Sequence, residues 1–284
     1  MHPLTAGLSW IGARAGWSLA VGMVLALAMP PLSDAFLRTV LPITSAFVLA
    51  VAFARLDTRA VVSQWREPAM RRLLLISLVA LLPLGLFLTT LLARGLQLDP
   101  TLALCLALFA AAPPIASGAA ICFMLGFDAV LALQLTVTIT LLTPIIGPLC
   151  LIWIAGVDLP VTATALFSSL VGIIGGGLLI GRVFRRGVGA TWIDAHPRAL
   201  DGLAAIAMIS FVVPMFADVT DILFSHWPLT LSLLAGVCAL NLGVNLAVRR
   251  LTARHLGDAR AGAFGLISGN RNIALYYASL PPDP

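Results

Sequence analysis

The sequence predicts an all-α polytopic membrane protein, and three observations carry that prediction. The 284 residues are 60% hydrophobic and only 10% charged, with a mean hydropathy of +1.04. That leaves too little polar surface to cover a soluble globule. Apolar stretches of roughly 20 residues, the length a helix needs to cross a hydrocarbon core, recur along the chain. Finally, the 17 basic residues are all arginines, and they cluster in the gaps between those stretches.

Nine stretches are expected to span, near 16–31, 37–56, 73–93, 101–125, 129–156, 161–183, 203–217, 229–248 and 261–280. In span one, Arg14 precedes an apolar run that ends in Ala26-Leu27-Ala28, which also reads as a cleaved signal peptide. Eight further spans, the lack of a soluble domain to export and Trp17 at an interfacial position favour a membrane span. Span two is closed by the arginine-rich stretch from Arg55 to Arg72, and span three by Arg94. Span four carries Pro113-Pro114. Span five opens after Asp128, an acid favoured at a helix N-terminus, and carries Gln134, Thr136, Thr138 and Thr140. Span six carries Gly172, Gly175, Gly176, Gly177 and Gly181, small residues that permit close helix contact. Span seven follows the loop arginines Arg182 to Arg198. Span eight places Asn241 and Asn245 four apart on one face, and span nine contains Ser268-Gly269-Asn270-Arg271-Asn272. The segment ends at Pro281-Pro282-Asp283-Pro284, which reads as a loop about to turn back, so a tenth span is expected beyond it.

If the spans alternate, Arg14, the arginines from Arg55 to Arg72, from Arg182 to Arg198 and from Arg249 to Arg260 share one side. Only Arg38 and Arg94 face the other, a division of 14 to 2. The positive-inside rule then places the N-terminus in the cytoplasm. An all-arginine basic set with abundant Ala and Leu suggests a GC-rich bacterial coding sequence, hence an inner membrane. The pI near 9.7 is on this reading a topology signal, with the lipid bilayer and no nucleic acid as partner.

Enzyme chemistry finds no footing. Cys105, Cys122, Cys150 and Cys238 lie within spans at no metal-ligand spacing, where small buried hydrophobes are expected. His2, His196, His226 and His255 lie at loops or ends, and no catalytic triad, metallopeptidase or phosphate-loop motif occurs. No catalytic residue, metal ligand or cofactor is assigned.

What remains is a pair of broken helices. In span four, Ala112-Pro113-Pro114-Ile115-Ala116-Ser117-Gly118 loses two backbone donors to adjacent prolines, so helix cannot run straight through. In span nine, the polar knot around Arg271 competes for the same backbone groups. Arg271 is the one arginine assigned to neither a loop nor a helix end. A guanidinium at the bilayer centre costs roughly 2.5–3.5 kcal/mol on translocation scales, so it marks a functional site. Unwound backbone at membrane depth must be covered by protein or line a cavity. The two breaks are five spans apart, an odd offset that gives opposite orientations. Paired interrupted helices of this kind point to an inverted-repeat secondary transporter with its site at the midplane. The expected layout is a single transporter domain over 1–284, with a first repeat at 1–156 (spans one to five) and an incomplete second at 157–284 (spans six to nine).

Ala112-Pro113-Pro114-Ile115-Ala116-Ser117-Gly118, followed by Gly126-Phe127-Asp128-Ala129 and Leu141-Leu142-Thr143-Pro144, resembles helices four and five of the bile acid:sodium symporter family. Gly269-Asn270-Arg271-Asn272-Ile273-Ala274-Leu275 resembles that family's ninth helix. The resemblance implies ten helices in two inverted five-helix repeats, with discontinuous helices four and nine crossing near the midplane. It further implies a panel of spans one, two, six and seven and a core of spans three to five with eight and nine. Members carry organic anions, typically with sodium. The pattern departs at its ion ligands: Ile267 stands where the family keeps an acid, Arg271 replaces a Gln, and Gly118-Ala119 replaces Ser-Asn. A fixed guanidinium could supply the positive charge instead, and its planar fork suits a carboxylate or sulfonate.

The expected function is alternating-access transport of a small organic anion, with no cofactor and a coupling ion that is open, sodium included. The expected substrate-binding residues are Arg271, Asn270, Asn272, Ser117, Gly118, Pro113, Pro114, Thr136, Gln134, Asn241 and Asn245. Arg271 is expected to bind either the anion itself or a carbonyl cluster left by the unwound helix. The threonines could instead bond their own helix backbone, and the asparagines could serve as interhelical glue. Two other functions remain open: metalloid efflux, for which Cys122 lies near the break but Ala112 stands where arsenite carriers of the superfamily keep a cysteine, and a non-transporting receptor or scaffold on the same fold.

Overall fold

The chain, in a computed structural model, is described over residues 3–30, 32–156, 161–216, 225 and 227–280; His2, His226 and residues 281–284 lie outside the described residues. The described residues are almost entirely helical, and they form no strand beyond one isolated bridge. In chain order the helices are α1 (Pro3–Ala13), α2 (Ala15–Leu27), α3 (Asp34–Ala54), α4 (Thr58–Trp65), α5 (Pro68–Val79) and α6 (Gly85–Gly95). There follow α7 (Pro100–Ala111), α8 (Gly118–Met124), α9 (Ala129–Cys150), α10 (Ala163–Val188) and α11 (Ala190–Ala195). The last four are α12 (Pro197–Phe216), α13 (Trp227–Leu256), α14 (Asp258–Gly269) and α15 (Ala274–Ser279). A π-helical turn, Ala80–Leu84, joins α5 to α6, and another, Leu151–Ala155, extends α9.

Among the described residues, six helices are long and apolar enough to cross a membrane, and a seventh counts if α1 and α2 are one span. α1 and α2 meet at an 83° bend beside Arg14, so the apolar N-terminal region begins at residue 3 rather than 16. The protein is a multi-pass membrane protein. The fourth and ninth apolar segments are each divided in two, as α7 with α8 and as α14 with α15.

Backbone contacts divide the chain into two compact units. One takes in the described residues within 1–56 and 171–233. In it α12 packs on α1, α2 and α3, and glycine sets the closeness. A Cβ on Gly12 would strike the Arg198 carbonyl, and one on Gly202 the Leu8 carbonyl. Of the α10 glycines, Gly177 and Gly181 serve close contact as expected: added Cβ atoms would lie 2.9 Å from the Ala46 oxygen and 2.5 Å from the Ala50 oxygen. A Cβ on Gly172, Gly175 or Gly176 would meet nothing within 4 Å among the described residues. Arg55 pairs with Asp201 at 2.7 Å, and Arg185 donates to the Ala54 carbonyl at 3.0 Å. Arg55 and Arg185, assigned by sequence to one side, therefore lie close together in this unit.

The other unit comprises residues 57–170 and 234–280. Its core joins Leu74, Leu81 and Leu82 to Cys122 of α8, Leu131, Leu135 and Ile139 of α9, and Phe264 and Ile267 of α14. Asp128 caps α9 by accepting the Leu131 N–H at 2.9 Å, as expected, and also meets Arg260 at 3.4 Å. All four cysteines are free; Cys122 and Cys150 are buried, but Cys105 and Cys238 are exposed, against the expectation of four buried thiols. A small apolar thiol suits an exposed position on an apolar membrane helix as well as a protein interior. The apolar stretch of α13 likewise has no buried residue.

Candidate functional site

Both helix breaks follow from local chemistry. A residue preceding proline is pushed out of the α region. Ala112 accordingly adopts φ −68° and ψ 147°, ending α7 at Ala111. Pro113 precedes a second proline and is under the same restriction. At the other break Asn270, at φ −102° and ψ 96°, leaves α14 in extended conformation.

The two extended pieces pair. Pro114 and Arg271 form an antiparallel bridge, in which Ile115 N–H donates to the Asn270 carbonyl at 3.0 Å and Asn272 N–H donates to the Pro113 carbonyl at 2.7 Å. Both bonds come from residues flanking the bridge pair. The missing N–H groups of Pro113 and Pro114 are therefore not needed, which is how two prolines sit in a paired segment without orphaning a partner.

Helix ends leave carbonyls without intrahelical donors, and inside a bilayer those groups must find protein partners. Here three carbonyls at each break do. At the end of α7, the Tyr276 hydroxyl donates to Ala111 (3.3 Å), Arg271 Nη1 to Ala112 (3.0 Å) and Asn272 N–H to Pro113. At the end of α14, Arg271 Nε donates to Ser268 (2.9 Å), Asn241 Nδ2 to Gly269 (2.7 Å) and Ile115 N–H to Asn270. All three donors at the end of α7 come from the α14–α15 break, whereas the end of α14 takes one from the α7–α8 break, one from its own Arg271 and one from α13.

Arg271 is half-buried, and its Nη2 donates to a third element, the Leu81 carbonyl, at 2.9 Å. That carbonyl lies in the π-helical turn around Pro83, where a missing N–H disturbs the regular ladder. Three hydrogen bonds from a charged donor contribute about 1.5–3 kcal/mol each. Together they are comparable with the several kcal/mol that removing one charge from water costs. The C-terminal ends of α7 and α14 also place partial negative charge at the guanidinium, each equivalent to roughly half an elementary charge.

The remaining expected residues divide. Asn241 donates also to Asn270 Oδ1 at 3.3 Å, and Asn245 donates to Asn241 Oδ1 at 3.0 Å, so the pair braces the α14 end as interhelical glue. Gly118 is buried in the same unit: a Cβ there would lie 2.6 Å from Ile267 Cδ1 and 3.8 Å from Thr136 Oγ1. Thr136 thus lies next to the break, its hydroxyl buried with no hydrogen-bond partner among the described residues. The own-backbone bonding expected as the alternative fails for Thr136 and Thr138; Thr143, further along α9 and outside that expectation, bonds the Ile139 carbonyl at 2.7 Å. Ser117 is exposed at the start of α8. Gln134 is turned elsewhere, donating to Gln64 Oε1 of α4 at 2.7 Å, its own Oε1 buried and unpaired.

Leu81, Tyr276 and Gln64 hold their partners here without being among the residues expected from sequence. Pro83 inside span three was the available signal for a displaced carbonyl, and a tyrosine six residues beyond Asn270 was the signal for a buried hydroxyl seeking an acceptor. Gln64 had none, because its partner lies 70 residues away.

No curated protein matches the chain. The profile described as the sodium bile acid symporter family matches residues 46–226, which include Pro113-Pro114 and stop short of Arg271. That match covers more than half of a chain whose helices also carry the paired breaks described above, and the chain belongs to the sodium bile acid symporter family, a family of membrane solute transporters.

Proposed function

We propose that this protein is a secondary carrier of a small organic anion, working by alternating access, with the paired breaks of α7–α8 and α14–α15 as its substrate site. The observation that carries the reading is the Pro114–Arg271 bridge with its guanidinium at the junction of two half-helix ends. Protein backbone covers that junction, as unwound chain at membrane depth requires. Arg271 engages three of its five N–H groups with carbonyls, which leaves one on Nη1 and one on Nη2 for an incoming carboxylate or sulfonate. Asn270, Asn272, Ser117, Gly118 and Thr136 border the same junction. Asn241 and Asn245 act on it by fixing the end of α14.

The reading extends to the architecture. The unit of residues 57–170 and 234–280 acts as the core, and the other unit as the panel. The two inverted repeats run over 1–156 and 157–284. Arginine distribution supports a bacterial inner membrane with the N-terminus in the cytoplasm.

Uptake of a panel of radiolabelled mono- and dicarboxylates into proteoliposomes tests this, with wild type beside Arg271→Ala. Saturable uptake by wild type and its loss, by tenfold or more on the scale of one buried charge-assisted contact, is the expected result. Undiminished uptake in the variant would remove Arg271 from the site.

A further inference from the structure

We infer that Arg271 is a tethered replacement for bound sodium, so that this member of a sodium symporter family holds its transport site together without the ion. The inference rests on the carrier reading and concerns what supplies positive charge at its site.

Sodium needs several oxygen ligands converging on one point, and in secondary transporters unwound carbonyls and half-helix C-termini supply them. In this chain such carbonyls ring a single cation, from Ser268 of α14, Ala112 at the end of α7 and Leu81 of the π-helical turn. The cation they surround is the guanidinium, which meets them at 2.9, 3.0 and 2.9 Å. The neighbouring carbonyls of Ala111, Pro113, Gly269 and Asn270 already accept from Tyr276, Asn272, Asn241 and Ile115.

A second cation would meet repulsion and little compensation. Two unit charges about 4 Å apart in a protein interior of effective dielectric ~20 repel enough to weaken binding on the order of a thousandfold. Hard cations also want a carboxylate to offset their charge. Ile267 occupies the nearby α14 position and is fully buried in the apolar core. Asp128 and Asp258 sit at helix starts, engaged by Arg260 and Arg249. No group of three His, Cys, Asp or Glu side chains that could hold a metal occurs among the described residues. The residues present therefore do not fit a sodium ion, and they do fit one fixed monovalent cation.

The test compares wild type, Arg271→Gln and Arg271→Lys in detergent, by 22Na+ binding and by thermal unfolding in sodium chloride against choline chloride. Wild type is expected to bind no 22Na+ saturably and to unfold at the same temperature in both salts. Arg271→Gln empties the carbonyl cluster and adds an amide oxygen to it. It is expected to unfold at lower temperature in choline, to regain part of that loss in sodium, and to bind 22Na+ at least on the order of tenfold more tightly than wild type. Arg271→Lys keeps the charge and is expected to remain indifferent to sodium. Saturable 22Na+ binding by wild type overturns the inference, and so does an Arg271→Gln variant that sodium does not stabilise. Should that variant fail to fold in either salt, the wild-type binding isotherm decides alone. None of these readouts needs a transported solute, so absence of uptake would remove the carrier reading and leave the sodium result standing.

Discussion

Gly269 is the last residue of α14, and its missing side chain sets how closely α13 approaches the break. In Gly269→Ala the new Cβ would lie 2.6 Å from the Asn241 backbone oxygen and 2.7 Å from Asn245 Nδ2. Ordinary contact needs about 3.4–3.5 Å, so α13 must retreat by about 0.8 Å. The Asn241 Nδ2 to Gly269 carbonyl bond, now 2.7 Å, would stretch to about 3.5 Å, beyond useful range. Overpacking of this kind costs about 1–3 kcal/mol, and an interhelical hydrogen bond in a membrane protein contributes about 0.6 and at most about 1.7 kcal/mol. The sum is about 2–5 kcal/mol. Denaturation in mixed micelles, followed by tryptophan fluorescence, measures it for Gly269→Ala, Asn241→Ala and the double variant. Because the alanine already breaks the asparagine's bond, the double variant is expected to fall short of additivity by about 0.5–1.5 kcal/mol. A single-variant loss below about 0.5 kcal/mol, or strict additivity, would refute the proposition that this glycine exists to let the asparagine reach the helix end.

Two further outcomes follow from packing. A Cβ on Gly147 of α9 would collide with the Tyr276 hydroxyl, so Gly147→Ala is expected to cost about 1–3 kcal/mol. Tyr276→Phe removes the colliding oxygen and should recover most of that loss in the same unfolding assay, leaving only the 3.3 Å bond to Ala111 unmade. Gln64→Ala strips the single partner from the fully buried Gln134 amide and is expected to cost about 1–3 kcal/mol. Adding Gln134→Leu should restore stability, because removing both polar partners costs less than orphaning one.

Both helix breaks could be read from the chain because each is imposed locally. Two adjacent prolines end a helix whatever surrounds them, and Gly-Asn-Arg-Asn interrupts an apolar run by the same short-range competition. Asp128 could be placed as a cap for the same reason. The partners of Arg271 were open to two readings, an anion or a carbonyl cluster, and the structure supplies three carbonyls. Gln134 looked like a cavity-lining residue because it shares a helix with Thr136. Two residues along a helix turn a side chain by about 200°, so it meets α4 while Thr136 meets Gly118. Exposed cysteines in α7 and α13 were not anticipated, since apolar character alone does not tell a lipid-facing helix side from a protein-facing one.

Hydropathy, arginine placement and the two proline- and glycine-marked interruptions were determined by sequence alone, since each depends on residues within a turn or two and on the cost of charge in hydrocarbon. Which groups meet across the breaks was decided only by the tertiary structure. Leu81, Ala112 and Ser268 are brought together from positions up to 190 residues from Arg271, and the acceptors are backbone carbonyls, which every residue type carries. A side chain announces its chemistry in the sequence. A carbonyl becomes a ligand only when the fold leaves it without a donor and then places a cation beside it.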